Sequence, residues 1–219
     1  MSALSVLLAY LLGSVPFGLV LGFLVAKKDI RKQGSGNIGA TNVGRVLGRP
    51  WALLAFVCDF GKGWVSSALL APAFVPPLED PARASLYAVL CGGAAVVGHC
   101  WPLYLGFKGG KGVATGCGAL VAMDPVIFLG GGVLWLAALG LFRMVGLASI
   151  LMGTSFPILA WFRGPGLGEQ GIANYGIEVV LGALALWLLV IARHRANIRR
   201  MLEGTEPRIG TAPKADRNK

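Results

Sequence analysis

The sequence predicts an all-α, polytopic integral membrane protein. Three observations carry that expectation: an excess of apolar residues, a shortage of charged ones, and a basic surplus that falls on one side of the apolar segments. Of 219 residues, 55% are hydrophobic and 14% charged, and the mean hydropathy is +0.69. Soluble domains carry about a quarter charged residues, so this chain cannot clothe a water-facing surface in the usual way. High apolar content excludes disorder, and 33 glycines without a Gly-X-Y period exclude collagen. The net charge of +10, from 20 Lys+Arg and 10 Asp+Glu, suits a multi-span protein with a positive cytoplasmic side. Nucleic-acid binding would need a polar domain to present that charge, and the sequence has none.

A membrane helix needs about 20 mostly apolar residues to cross a core of roughly 30 Å. Segments near 3–26, 51–71, 85–106, 112–124, 126–142, 145–162 and 177–192 are candidates, which makes about seven spans, the fourth short and glycine-rich. Met1 to Ser5 carry no charge, unlike the basic start of a cleaved signal peptide. The first basic cluster (Lys27, Lys28, Arg31, Lys32, then Arg45 and Arg49) follows span one, so the positive-inside rule puts the N-terminus outside and the C-terminus in the cytoplasm. Seven spans then place seventeen of the twenty basic residues inside, among them Lys108, Lys111, Arg143 and eight in the tail: Arg193, Arg195, Arg199, Arg200, Arg208, Lys214, Arg217 and Lys219. Arg83 and Arg163 fall outside, Lys62 lies within span two, and Glu79, Asp80, Asp124, Glu169 and Glu178 gather outside. Residues 1–209 read as one transmembrane domain and 210–219 as a polar, disordered tail.

Cys58, Cys91, Cys100 and Cys117 sit in apolar segments without C-x-x-C spacing and read as small helix-packing residues. The two histidines, His99 and His194, are too far apart in sequence to suggest a metal site, and no metal or organic cofactor is expected.

Polar residues are scarce, so their grouping is informative. The stretch from Gln33 to Arg45 combines Gly34, Ser35, Gly36, Asn37, Gly39, Thr41 and Asn42 with a terminal arginine. Glycines let backbone N–H groups form anion-binding nests, and Arg45 offers a planar fork to phosphate oxygens. Gly34-x-Gly36-x-x-Gly39 matches the dinucleotide fingerprint, but that motif needs a preceding strand and a βαβ unit, and here it follows a membrane span. A second group, Lys108-Gly109-Gly110-Lys111-Gly112, opens the short fourth span. It is not a Walker loop, because Lys111 is followed by Gly112 rather than Ser or Thr, yet it makes an anion cradle at a helix N-terminus. The third group, Arg193 to Arg200, puts His194 and Asn197 three apart on one helix face. Inside the spans, Asp59 and Lys62 stand at i, i+3 in span two, within reach for pairing, and read either as an internally neutralised structural pair or as substrate ligands, since ionisable residues in a membrane are expensive and rare. His99, near the cytoplasmic end of span three, reads as support for loop packing rather than chemistry.

These residues resemble the bacterial acyl-phosphate-dependent glycerol-3-phosphate acyltransferases, small integral enzymes of the bacterial cytoplasmic (inner) membrane that begin phospholipid synthesis. The resemblance runs from span one to about residue 209. It rests on Gly-Ser-Gly-Asn-x-Gly-Ala-Thr-Asn-Val at 34–43 with Arg45, Lys-Gly-Gly-Lys-Gly-Val-Ala-Thr at 108–115, and His-x-x-Asn with Gly-Thr-Glu at 194–206; Asp59, Lys62 and His99-x-x-Pro102 also fit. Ala196 departs from the pattern, which commonly has an acidic residue there. The resemblance implies transfer of a fatty acyl group from acyl phosphate to the 1-hydroxyl of glycerol 3-phosphate, giving lysophosphatidic acid and phosphate. It implies Ser35, Arg45, Lys111, His194 and Asn197 as the catalytic set. Gly34, Gly36, Asn37, Gly39, Thr41, Asn42, Lys108, Gly109, Gly110, Gly112, Asp59, Lys62 and His99 would then bind substrate. The proton acceptor is His194 or a phosphate oxygen of the substrate. The partners are those two substrates and the lipid bilayer, with no nucleic acid. The His-x-x-x-x-Asp mechanism of thioester-using acyltransferases is not supported, since Tyr104 and Arg199 stand five after the two histidines. An organic-phosphate transporter is the alternative, although the basic motifs cluster on one membrane face, where a transporter would show inverted repeats about a midplane site.

Overall fold

The computed structural model describes residues 2–75, 81–166 and 175–210. Eleven α-helices are formed there: α1 (Ser2–Gly13), α2 (Phe17–Ala26), α3 (Ala40–Leu47), α4 (Arg49–Val65), α5 (Ala71–Phe74), α6 (Pro81–Cys100), α7 (Val113–Met123), α8 (Pro125–Phe142), α9 (Val145–Arg163), α10 (Ile177–Arg193) and α11 (Arg195–Leu202). Glu79, Asp80 and Glu169, expected outside, and Lys214, Arg217 and Lys219 with the rest of the tail beyond Gly210, lie outside the described residues.

Local chemistry sets the breaks. Pro16, which has no N–H to donate, separates α1 from α2, yet the two still form one apolar segment, Ala3–Ala26. α4 carries Pro50 in its first turn and continues through a π-turn at Ser66–Leu70 into α5. Asp124 closes α7 and opens α8, its carboxylate accepting from the Val126 N–H at 2.9 Å, an ordinary helix cap.

Among the described residues five segments are long and apolar enough to cross a membrane: Ala3–Ala26, Arg49–Phe74, Arg83–Leu105, Pro125–Phe142 and Val145–Arg163. α10 and α11, bent by 56° at His194, qualify only as a pair. The expected fourth span is α7, whose eleven residues reach only about 16 Å at 1.5 Å per residue. Of the roughly seven spans expected, five or six among the described residues have full length, and the short fourth, α7, is a partial one. The reason is burial: Thr115 to Leu120 are covered on every side, and a helix sheathed by protein need not match the hydrocarbon thickness. α7 lies directly on α4, for a Cβ at Gly63 would fall 1.9 Å from the Thr115 carbonyl oxygen and one at Gly118 1.9 Å from that of Phe60.

The main core joins α7, α8, α9 and α10 through Cys117, Leu120, Ile127, Met152, Phe156, Ala160, Val179 and Ala183. A smaller one (Leu19, Ile30, Ile38, Val43, Ala55) ties the 30–43 segment down onto α2 and α4. All four cysteines are free thiols. The three polar groups converge at one end of the bundle: Arg193 reaches the Gly109 and Gly110 carbonyls, Asn197 packs on Gly146, and the Ile209 N–H bonds the Arg143 carbonyl at 2.8 Å. At the opposite end Asp124 is ion-paired with Arg163 and approached by the Tyr175 hydroxyl.

Candidate active site

The first loop is closed by one residue. Asn42, 1% exposed, accepts the Ser35 N–H (2.7 Å) and donates to the carbonyls of Ile30 (2.9 Å) and Gln33 (3.1 Å). Gly36 N–H bonds the Gln33 carbonyl at 3.0 Å, and Gly39 N–H bonds the Asn37 side chain at 2.8 Å. Gly34 and Gly36 sit at φ +59° and +69°, a region that favours glycine. The expected nest of free N–H groups is thus not formed at Ser35, Gly36 or Gly39: those donors serve the turn, and the glycines supply its shape. Ser35, Thr41 and Arg45 are exposed. Beside them, Arg31 forks onto Asp29 and holds that carboxyl down at about 2.

The second loop also uses its N–H groups internally. Gly109 and Gly110 donate to the carbonyls of Cys100 (3.2 Å) and His99 (3.0 Å). Arg193 takes the loop's own carbonyls, with Nε on Gly110 (3.0 Å) and Nη2 on Gly109 (3.1 Å) and Gly110 (2.8 Å), while its guanidinium lies 5.2 Å from the Trp101 ring centre. Lys108 is exposed. α7 follows Gly112 without a side-chain cap, so its first-turn N–H groups present the positive end of the helix beside Lys111.

Lys111 Nζ donates to Asn197 Oδ1, Asn197 Nδ2 donates to Glu206 Oε1 at 2.6 Å, and Arg200 Nε closes on Glu206 Oε2 at 2.8 Å. His194 is buried at the bend, and its Nδ1 meets the Val190 carbonyl at 2.8 Å. A carbonyl only accepts, so Nδ1 carries the hydrogen and Nε2 is left as the acceptor.

Burial lowers Lys111 to about 8; repulsion from Arg200, Arg45 and Arg193 adds to this, and attraction by Glu206 opposes it. His194 is lowered to about 4, by burial first and then by Lys111, with Arg193 adding. Lys111 therefore feels three arginines against one carboxylate, Glu206. An open cleft of about 520 Å³ adjoins it, lined by Arg31, Lys32, Lys108 and Arg193 among others. Among the described residues no three His, Cys, Asp or Glu side chains converge as metal ligands.

The structure brings Arg45, Lys111, His194 and Asn197 together, with Ser35 and Thr41 on the adjoining loop. Asp59, Lys62 and His99, which the resemblance assigns to the substrate and their own placement to pairing and loop packing, are turned inward behind Gly109 and Gly110 and are nearly inaccessible. Sequence reasoning missed Arg193, Arg200 and Glu206 as site residues. Glu206 had one signal, its place in the Gly-Thr-Glu that follows the third group.

A family model described as "Glycerol-3-phosphate acyltransferase" matches residues 3–204. The chain belongs to the glycerol-3-phosphate acyltransferase family. Among the relatives of that name, one from Rhodospirillum rubrum is 45% identical over 209 residues, covering 95% of this chain and 91% of the relative. Another, from Dinoroseobacter shibae, is 43% identical over 208 residues, covering 95% and 93%. Two crystal structures of PlsY (YgiH), an integral membrane glycerol 3-phosphate acyltransferase, superpose over 96% of both chains. The glycerol 3-phosphate form gives a TM-score of 0.83 at 37% identity, the lysphosphatidic acid form 0.81 at 36%. At this identity the family fold, an all-helical integral membrane protein, extends to this chain.

Proposed function

We propose that this protein transfers a fatty acyl group from acyl phosphate to the 1-hydroxyl of glycerol 3-phosphate, releasing lysophosphatidic acid and phosphate. The observation that carries the reading is the gathering of Lys111, Arg45, Arg193 and Arg200 around one space with a single carboxylate, Glu206. Such a cluster lacks anions, and two phosphate-bearing substrates supply them. Family membership and the likeness to the glycerol 3-phosphate form support the acceptor.

In this reading the hydroxyl oxygen attacks the acyl carbonyl carbon, the bond from that carbon to the phosphate oxygen breaks, and phosphate leaves. Lys111 and Arg45 hold phosphate oxygens, Ser35 and Thr41 add hydroxyl contacts, and Asn197 fixes the Lys111 ammonium. Phosphate is a good leaving group, so no acyl-enzyme is needed. Positioning and fixed charge carry the acceleration. The hydroxyl proton goes to His194 Nε2 or to a phosphate oxygen of the acceptor.

Sorting the basic residues by side supports an N-terminus outside and a cytoplasmic site in the bacterial inner membrane, so that glycerol 3-phosphate arrives from the cytosol. Residues 1–209 then form one catalytic domain, with 210–219 a tail. The test is purified protein in detergent given both substrates: lysophosphatidate and phosphate appear in equal amounts, and their absence rejects the reading. In the same assay His194→Ala lowers kcat by about 10²-fold or more if the imidazole takes the proton, whereas a near-normal rate assigns that step to the substrate phosphate.

A further inference from the structure

Behind the second loop lies a cluster that the proposed reaction leaves unused. Asp59 and Lys62 project from α4 and His99 from the end of α6, with 2%, 3% and 4% of their surfaces exposed. Lys62 Nζ stands 2.9 Å from Asp59 Oδ1, donates to the Val15 carbonyl at the break between α1 and α2 (3.1 Å), and lies 5.8 Å from the Phe17 ring centre. His99 Nδ1 approaches the same Asp59 oxygen at 3.4 Å, without the alignment of a directed hydrogen bond. The other edge of the imidazole meets backbone: a Cβ at Gly110 would fall 2.0 Å from His99 Nε2. Gly110 also donates its N–H to the His99 carbonyl, and the next residue is Lys111.

We propose that Asp59, Lys62 and His99 are positioning residues for Lys111: the ion pair sets the His99 ring, the ring sets Gly110, and Gly110 sets where the Lys111 ammonium stands. This inference rests on the acyl-transfer reading above. A buried ion pair is weak support for stability, since apolar replacements are often as stable, so the pair needs another account in a segment where charge is costly. Gly110 has no side chain to absorb movement, so a shift of the ring passes straight to the backbone. The loop is gripped from the far side by Arg193, and with one grip lost it shifts toward the other. A displacement of 1 Å at a reacting group costs about 10²-fold in rate.

The test uses the full chain in detergent. Asp59→Asn alone leaves the Lys62 charge buried and unpaired and so endangers folding. The informative variant is Asp59→Asn/Lys62→Met, which removes both charges together, with His99→Leu as an independent second and His99→Gln as the conservative replacement. Unfolding midpoint, kcat, KM for each substrate and inhibition by inorganic phosphate are measured. The expected result for the double variant and for His99→Leu is a folded protein whose kcat falls at least about tenfold and whose phosphate inhibition weakens, with part of both regained in His99→Gln. Normal kcat and phosphate inhibition in folded His99→Leu or in the folded double variant overturns the proposal. If the double variant does not fold, His99→Leu decides by the same criteria. If the unaltered protein makes no lysophosphatidate, it is the reaction that fails. Titration with inorganic phosphate then decides the positioning role: weaker binding in His99→Leu supports it, and unchanged binding rejects it.

Discussion

In the first glycine loop a single neutral side chain from the same stretch, Asn42, seven residues beyond Ser35, closes the turn. In the second, closure comes from far away and carries charge: Arg193 reaches back 83 and 84 positions to Gly110 and Gly109, and Asn197 reaches 86 to Lys111. The first is therefore a local template that forms with its own α3, and its exposed Ser35, Thr41 and Arg45 ride on a shape already set. The second is made by tertiary contact, so its geometry answers to changes in distant helices. It also holds the repulsion among the cations, which an arriving phosphate relieves.

Breaking this contrast begins with Lys111→Ala, the largest effect expected. Removing one preorganised charge from a transition-state site costs about 10²–10³-fold in kcat/KM, read in the acyl-transfer assay with little change in unfolding temperature. The pH dependence sharpens it. Because Lys111 is lowered from 10.5 to about 8, its ammonium is lost as pH rises through about 8, and kcat/KM falls there. Between about 8 and 10.5 the unfolded chain binds more protons at this lysine than the folded one, so its contribution to stability rises with pH over the same window. At this group activity and the contribution to stability move in opposite directions, and a kcat/KM that holds level as pH rises through about 8 contradicts the assignment.

Next comes Asn42→Ala, which orphans the Ile30 and Gln33 carbonyls and the Ser35 N–H. A loss of about 1–3 kcal/mol is expected from the first buried group left unpaired, seen as a lower unfolding midpoint together with reduced activity. Arg193→Lys keeps the charge but not the planar fork. It should lower kcat several-fold while leaving the fold intact, and so separates loop geometry from net charge. The smallest effect is reserved for Arg199→Ala, which removes an ion pair to Glu203 whose side chains are 82% and 49% exposed. Such pairs contribute about 0–1 kcal/mol, and activity should be unchanged.

How much could be read in advance follows the same contrast. The apolar segments, the basic side and the residues of the first loop were all legible, because hydropathy and turn chemistry act over a few positions. The shortness of α7 was legible too, but its enclosure was not, since a glycine-rich apolar stretch reads alike whether it faces lipid or is covered by α4, α8 and α10. For Asp59, Lys62 and His99 the sequence left a structural pair and a packing histidine beside a substrate role, because i, i+3 spacing shows that two residues share a face but not what covers it. Arg193 read as one more orienting charge among many in the tail, and only the packing of α10 beside the second loop gives its guanidinium two carbonyls to hold.

The strap that runs from α11 back across the bundle end bears on where this chain can be cut. The match to the family model ends at residue 204, and a boundary drawn there for expression would look generous. It would remove Glu206, which orders both Asn197 and Arg200, and the Ile209 N–H that pins the strap to the Arg143 carbonyl. A trimmed protein would retain every long apolar helix and insert normally, while the Lys111 ammonium lost the carboxylate that stabilises its charge. Fusion partners therefore belong beyond Gly210, and an inactive product shortened to 204 would report a severed strap rather than an absent enzyme.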